Sequence, residues 1–178
     1  RQFWSLREIA ANGSKEPIAL SDQEAADQLA SLLADAVGGR MLADVPLGAF
    51  LSGGIDSSLV AALMQDQSER PVKTFTIGFE EARFNEATYA KAVAKHLGTE
   101  HHELYLSSRD AMDIVPELPT MFDEPFADSS QIPTYLVSRM TRDHVTVSLS
   151  GDGGDELMAG YTRYQLADGM SRRFGAVP

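Results

Sequence analysis

The feature that most limits how this chain can fold is an alternation of two hydrophobic periods. Apolar runs that read as buried strands lie at Pro46 to Leu51, Val72 to Phe79, His101 to Leu106 and within "HVTVSLS", which ends at Ser150. Between them apolar residues recur at helical spacing, which sequential hairpins would not allow. The spacing predicts a helix over about Asp22 to Val37, opened by a Ser21/Glu24 capping box and stopped at Gly38-Gly39. Its apolar face carries Ala25, Ala26, Leu29, Leu32, Leu33 and Ala36. Further helices are predicted over Ser57 to Gln67, Asn85 to Gly98 with an Asn cap and a Gly stop, from a Ser107 cap to about Leu118, and over Pro133 to Asp143 with Pro133 in the first turn. Strands alternating with helices predict an α/β fold, a doubly wound parallel sheet with helices on both faces.

A chain of 178 residues, 43% of them hydrophobic, can bury one sizeable core. Residues 21–178 are therefore expected to form a single domain. Arg1 to Leu20 has no helical or strand period of useful length and reads as a connector. The Met and Tyr residues after Leu157 stand at helical spacing and read as core. Arg1 is not an initiator and "RRFGAVP" closes no element, so a piece of a longer protein is expected. The net charge of −11 argues against a nucleic-acid surface, and any phosphate ligand would need a divalent cation to offset repulsion. No apolar stretch has transmembrane length and no signal peptide is recognisable, so no membrane partner is expected and the cytoplasm is the default location. With no cysteine, disulfides, zinc-thiolate sites and thiol nucleophiles are excluded within these residues.

Two of the predicted strands run into glycine-acid turns, "SGGIDSS" from Ser52 and "SGDGGDE" from Ser150. In open parallel sheets ligands bind beyond the carboxyl ends of strands, where strand order reverses. Gly53 and Gly54 permit close backbone approach, and the helix start behind them offers free N–H groups, an anion cradle to which Ser52, Ser57 and Ser58 add hydroxyls. No lysine follows, so the GxxxxGK[ST] pattern fails. Asp56 suits a metal held against phosphate, since Mg²⁺ commonly takes one or two carboxylates with phosphate oxygens and waters. If the strand order is 3-2-1-4, Asp56 and Asp155 face one metal-phosphate cluster from two sides. Plainer readings stand beside these: the Gly-Gly turn as a tight connection, Asp152 and Glu156 as charges at a helix start, Asp123, Glu124 and Asp128 as solvated loop acids. His101 and His102 alternate across a strand and face opposite sides, and His96 and His144 read as surface residues, so no histidine is assigned a role.

"LSGGIDSS" is similar to the pyrophosphatase loop of the N-type ATP pyrophosphatases, and "SGDGGDELMAGY" with "DEPFADSSQIPTY" resembles the asparagine synthetases. The likeness covers nearly the whole chain, including "FWSLREIA", which resembles the connector following a glutaminase domain. It implies an adenine nucleotide alpha-hydrolase-like fold and a MgATP-dependent ligase. The aspartate side-chain carboxylate is adenylated, pyrophosphate departs, and ammonia from glutamine displaces AMP to give asparagine. Carried over by position, Ser52, Gly53, Gly54, Asp56, Ser57 and Ser58 hold pyrophosphate, and Asp56 with Asp155 bind Mg²⁺. Adenine is read at Phe50 or Leu51, at Ile77 with Gly78, and at Gly151 beside Ser150. Asp152 stands where many relatives have Glu, near the attacking amine or acyl-adenylate. Asp123, Asp128, Ser129 and Ser130 border the amino-acid substrate, with Ser129 where some relatives place an arginine. The glutaminase cysteine and the pyrophosphate-contacting lysine of relatives are absent from these residues, so the isolated fragment is expected to be inactive. The missing glutaminase domain is the expected partner, and a homodimer is allowed. β-Lactam synthetase-like and peptide-cyclising enzymes share both motifs and stay open as alternatives, as does a non-catalytic nucleotide-binding module.

Overall fold

The computed structural model describes residues 2–79, 85–122, 124, 127, 128 and 130–174. It divides into two compact units, Arg1–Ala36 and Val37–Pro178. In the first, the expected structureless connector contains a helix, α1 (Leu6–Lys15). Its start is set by Ser5, whose hydroxyl accepts the Glu8 amide at 3.4 Å. The S-x-x-E spacing at Ser5 and Glu8 was the available signal, and the helix that follows it buries none of its residues.

Helix α2 (Asp22–Met41) begins with the predicted capping box: the Ser21 amide donates to Glu24 Oε2 at 2.9 Å, and the Glu24 amide donates back to Ser21 Oγ at 3.3 Å. It then runs through Gly38-Gly39 rather than stopping there. Glycine costs a helix interior roughly 1 kcal/mol, a cost α2 carries here with the Gln67 side-chain amide packed against Gly38. The expected core face of α2 is largely open, with Leu32 66% exposed. Only Val37, where the helix enters the second unit, is buried.

In the second unit β1 (Leu47–Phe50), β2 (Lys73–Phe79), β3 (Glu100–Leu106) and β4 (Val147–Leu149) form one parallel sheet in the order β3-β2-β1-β4. This is the anticipated order. β4 pairs with β1 through Leu47↔Val147, Gly48↔Ser148 and Ala49↔Leu149, so strand order reverses between them. The connecting helices are α3 (Ile55–Asp66), α4 (Ala87–Leu97), α5 (Ser108–Ile114), α6 (Leu118–Met121), α7 (Gln131–Arg142), α8 (Gly154–Met158) and α9 (Thr162–Phe174), with a 3₁₀ turn at Val115–Glu117.

Side chains alternate across each strand, and the two sheet faces are covered by different helices. On one face Leu51 of the β1 end packs with Ala61 of α3 and Ala90 and Ala94 of α4, small residues that let the helices lie close. On the other, Leu106 packs with Ile114 of α5 and Leu136 of α7, joined by Ile77 and Phe79. The fully buried Phe75, Leu51 and Met64 each contribute about 1.5–3 kcal/mol of transfer free energy. The α4 face of β2 and β3 also carries polar groups. Thr74 Oγ1 lies 2.9 Å from His101 Nδ1, and Glu103 accepts from Tyr105 at 2.7 Å and pairs with Lys91 at 3.0 Å. Burial pushes the His101 imidazole down from its usual range, with Glu103 opposing. His102 lies on the opposite face, its ring 4.1 Å from His144 and 5.2 Å from Phe75.

The residues after Leu157 do not form core. Leu157 is 78% and Met170 56% exposed, because α9 has no sheet face to cover. Among the described residues no helix is long and apolar enough to cross a membrane.

Candidate nucleotide site

The two glycine-acid turns meet where strand order reverses. Leaving β1, the Leu51 amide still bonds the Phe75 carbonyl at 2.8 Å, so the chain is held to the sheet until Ser52. Gly53 then takes a positive φ of 81°. A Cβ there would lie 2.6 Å from the Ala90 amide nitrogen, so the loop rests directly on α4. Conformation and space both demand glycine. Inside the loop, the Ser52 amide donates to Ser57 Oγ at 3.1 Å, the two serine hydroxyls lie 2.8 Å apart, and the Gly54 amide donates to Ser52 Oγ at 3.2 Å. With no side chain on Gly54 bonding back to the first turn of α3, its amides stay free toward the open side.

The second turn lies against the first, backbone to backbone. A Cβ on Gly151 would stand 2.7 Å from the Ser57 amide nitrogen and 3.0 Å from the Asp56 Cβ. The Asp56 carboxylate itself abuts Gly154, the residue before Asp155. Ser150 Oγ donates to Asp152 Oδ2 at 2.9 Å, fixing that carboxylate over its own strand end. Glu156 instead accepts the Tyr161 hydroxyl at 2.7 Å, with the Arg163 guanidinium 4.1 Å above the Tyr161 ring. The Tyr161 hydroxyl is the main reason the Glu156 carboxyl is held below its usual range. Glu156 thus belongs to the bracing of the turn.

Around these turns opens a cavity of ≈ 720 Å³. Its floor is the end of β1 and the first loop: Phe50, Leu51, Ser52, Gly54, Asp56 and Ser57. Ser150, Gly151, Asp152 and Asp155 of the second turn and Ile77 of β2 complete the predicted residues that line it. Gly53 and Ser58 do not reach it: the first lies against α4, and the hydroxyl of the second is buried without a partner. Gly78 also faces elsewhere, toward the Tyr105 ring and Asn85. Asp128 and Ser130 are not in the lining. Asp128 Oδ1 accepts the Ser130 amide at 2.8 Å just before α7, which holds its carboxyl below the usual range. Asp123 and Ser129 lie outside the described residues.

Sequence reasoning missed Phe75, Thr76, Glu86, Met158 and the start of α7, where Pro133, Thr134 and Val137 close one wall. Pro133 and Thr134 lie within the quoted "DEPFADSSQIPTY" and Met158 within "SGDGGDELMAGY" but were given no role there, and no local motif marks Phe75, Thr76, Glu86 or Val137.

Asp56 and Asp155 offer two hard oxygen donors on one cavity, a set that fits Mg²⁺ bound through one or two carboxylates with substrate phosphates and waters. Among the described residues no group of three or more His, Asp or Glu side chains is placed to cage a metal by protein alone.

The asparagine synthase family model matches residues 28–178. The chain belongs to this family. Asparagine synthetase [glutamine-hydrolyzing] 1 of Bacillus subtilis is 38% identical over 150 residues, covering 84% of this chain and 24% of the relative. The human asparagine synthetase [glutamine-hydrolyzing] is 34% identical over 152 residues, covering 79% and 26%. The chain thus spans about a quarter of the length of these family members. Among solved structures, an NH3-dependent NAD synthetase from Campylobacter jejuni superposes with a TM-score of 0.53 at 17% identity, covering 76% of this chain and 60% of that one. The fold is that of the PP-loop, adenine nucleotide alpha-hydrolase type, as the resemblance of "LSGGIDSS" implied.

Proposed function

We propose that this chain carries the ATP site of an enzyme that makes asparagine by adenylating the aspartate side-chain carboxylate. The carrying observation is the contact of the two turns at the β1/β4 reversal in a chain of the asparagine synthase family, which sets Asp56 against Gly154. In this reading the Ser52 to Ser58 loop grips the β- and γ-phosphates through amides and hydroxyls. The ends of β1 and β2, at Phe50, Leu51 and Ile77, with Ser150 and Gly151, receive the adenosine. Asp56 and Asp155 hold Mg²⁺, which when bound neutralises charge on the phosphates.

The carboxylate oxygen of aspartate bonds to the α-phosphorus as the bond to the bridging oxygen of pyrophosphate breaks. Ammonia then attacks the acyl carbon, the bond to the AMP oxygen breaks, and the nitrogen sheds a proton. Asp152, steadied by the Ser150 hydroxyl at 2.9 Å, is positioned to accept that proton. Asp123, Asp128, Ser129 and Ser130 border the amino-acid substrate. Ammonia comes from glutamine through a glutaminase domain of the same protein, to which residues 1–20 are the connector. The protein works in the cytoplasm.

The test is aspartate-dependent exchange of labelled pyrophosphate into ATP by the full-length protein. Exchange that requires aspartate is expected, and ATP cleavage indifferent to aspartate would reject the substrate.

A further inference from the structure

The cavity holds a fourth described carboxylate, one that the phosphate and metal assignments leave unused. Glu86 lines it beyond the end of β2, whereas Asp56, Asp152 and Asp155 follow β1 and β4. In the order β2-β1-β4, Glu86 follows one strand and the three aspartates follow the next two along the sheet. The same cavity is lined from β1, β2 and α7 by the apolar Phe50, Phe75, Ile77, Pro133 and Val137, with the hydroxyls of Thr76 and Thr134 among them.

Glu86 occupies the position that ordinarily caps α4, yet its side chain makes no capping hydrogen bond. Asn85 does this instead, its Oδ1 accepting the Ala87 amide at 3.2 Å. The Glu86 carboxylate has no hydrogen bond or ion pair with any described residue and is exposed on the cavity side.

An ionised carboxylate only accepts hydrogen bonds. In a chain of net charge −11, an extra acid in a polyphosphate cavity adds repulsion, so a ligand that tolerates it brings donors and no negative charge to that point. With the phosphates on the first loop and the flat base against the apolar wall, the part of ATP that fits is the ribose, whose vicinal hydroxyls are two donors. We infer that Glu86 accepts hydrogen bonds from the ribose 2′- and 3′-hydroxyls and makes the site select ribonucleotides over deoxyribonucleotides. The inference rests on the ATP reading above.

The test is calorimetric titration of the full-length protein, and of its Glu86→Ala and Glu86→Gln variants, with the Mg²⁺ complexes of ATP, 2′,3′-dideoxy-ATP and ITP. Because Glu86 is solvent-exposed, both variants keep the fold, which circular dichroism checks. The wild type is expected to prefer ATP over the dideoxy nucleotide by about 10-fold to 100-fold, the range for hydrogen bonds to a charged acceptor. Glu86→Ala should weaken ATP to the dideoxy level while leaving dideoxy binding unchanged, and Glu86→Gln should fall between. The inference is overturned if Glu86→Ala leaves ATP binding unchanged, weakens both nucleotides equally, or alters the choice of ATP over ITP with ribose preference intact. A wild type that binds none of the three overturns the ATP reading itself.

Discussion

The two glycine-acid turns look alike in sequence and are built differently. The first leaves a central strand, enters the 12-residue α3, and is locked by backbone and hydroxyl bonds around the buried Ser57. The second leaves the three-residue β4 and enters α8, only five residues long, which ends at Ala159 with a positive φ of 56°. So short a helix has little stability of its own. Its shape depends on side chains beyond it: Tyr161 on Glu156, Arg163 on Tyr161, and Gly160, which leaves no room for a Cβ beside Asp155. The first turn is therefore a rigid cradle and the second a braced arm that brings Asp155 to it.

The difference can be broken at either turn. The largest effect is expected from Asp56→Asn or Asp155→Asn, which leave both scaffolds intact but should cut pyrophosphate exchange by about 10²-fold or more, as loss of a preplaced electrostatic contact does elsewhere. Near-normal exchange in either variant would remove that residue from the site. Next is Gly53→Ala, where a strained φ and a clash with the α4 backbone together should cost about 2–5 kcal/mol in denaturant unfolding. Gly153 also has a positive φ, of 90°, but a Cβ there meets nothing within 4 Å, so Gly153→Ala should cost only about 1 kcal/mol. Equal costs for the two glycines would contradict the contrast. Tyr161→Phe should weaken Mg²⁺-dependent ATP binding a few-fold, the scale of one hydrogen bond, while exchange of the Ser52 amide, which donates to Ser57 Oγ in the first turn, stays protected.

The smallest effect concerns pH. Gly53 leans on α4, and α4 is tied to β3 by Lys91 and Glu103 beside His101. Burial lowers the His101 imidazole below its ordinary range, against Glu103, with His102 and Lys91 adding to the lowering. The folded state thus resists protonation that the unfolded chain accepts. Stability should be full above about 6.5 and fall as pH drops from there toward the depressed value. Melting temperatures between pH 7.5 and 5.5 should fall less in His101→Gln than in the wild type.

Much of this was legible in the chain, for local reasons. Gly98 closes α4 at a φ of 75° and Ser107 forms a full capping box with Asp110, as their spacing anticipated. The strand order entered the sequence reading only as a condition; the structure has that order, and with it Asp56 and the second turn meet, as the condition required. What failed depended on tertiary context. Gly38-Gly39 read as a stop because propensity cannot see Gln67 packing against the helix. The apolar residues of α2 and α9 read as core because periodicity reports an apolar face and not what covers it. Glu86 stood outside every motif, and the start of α7 lay in the quoted "DEPFADSSQIPTY" without a role, since only the crossovers bring them to the cavity.

The central claim is that the two turns form one site for ATP bound with Mg²⁺. Calorimetric titration of the full-length protein with ATP, once with excess Mg²⁺ and once with a chelator, tests it most directly. The turns predict at least about a 10-fold loss of affinity on chelation, because Asp56 and Asp155 without a cation repel the triphosphate. Equal affinity in both conditions would contradict it.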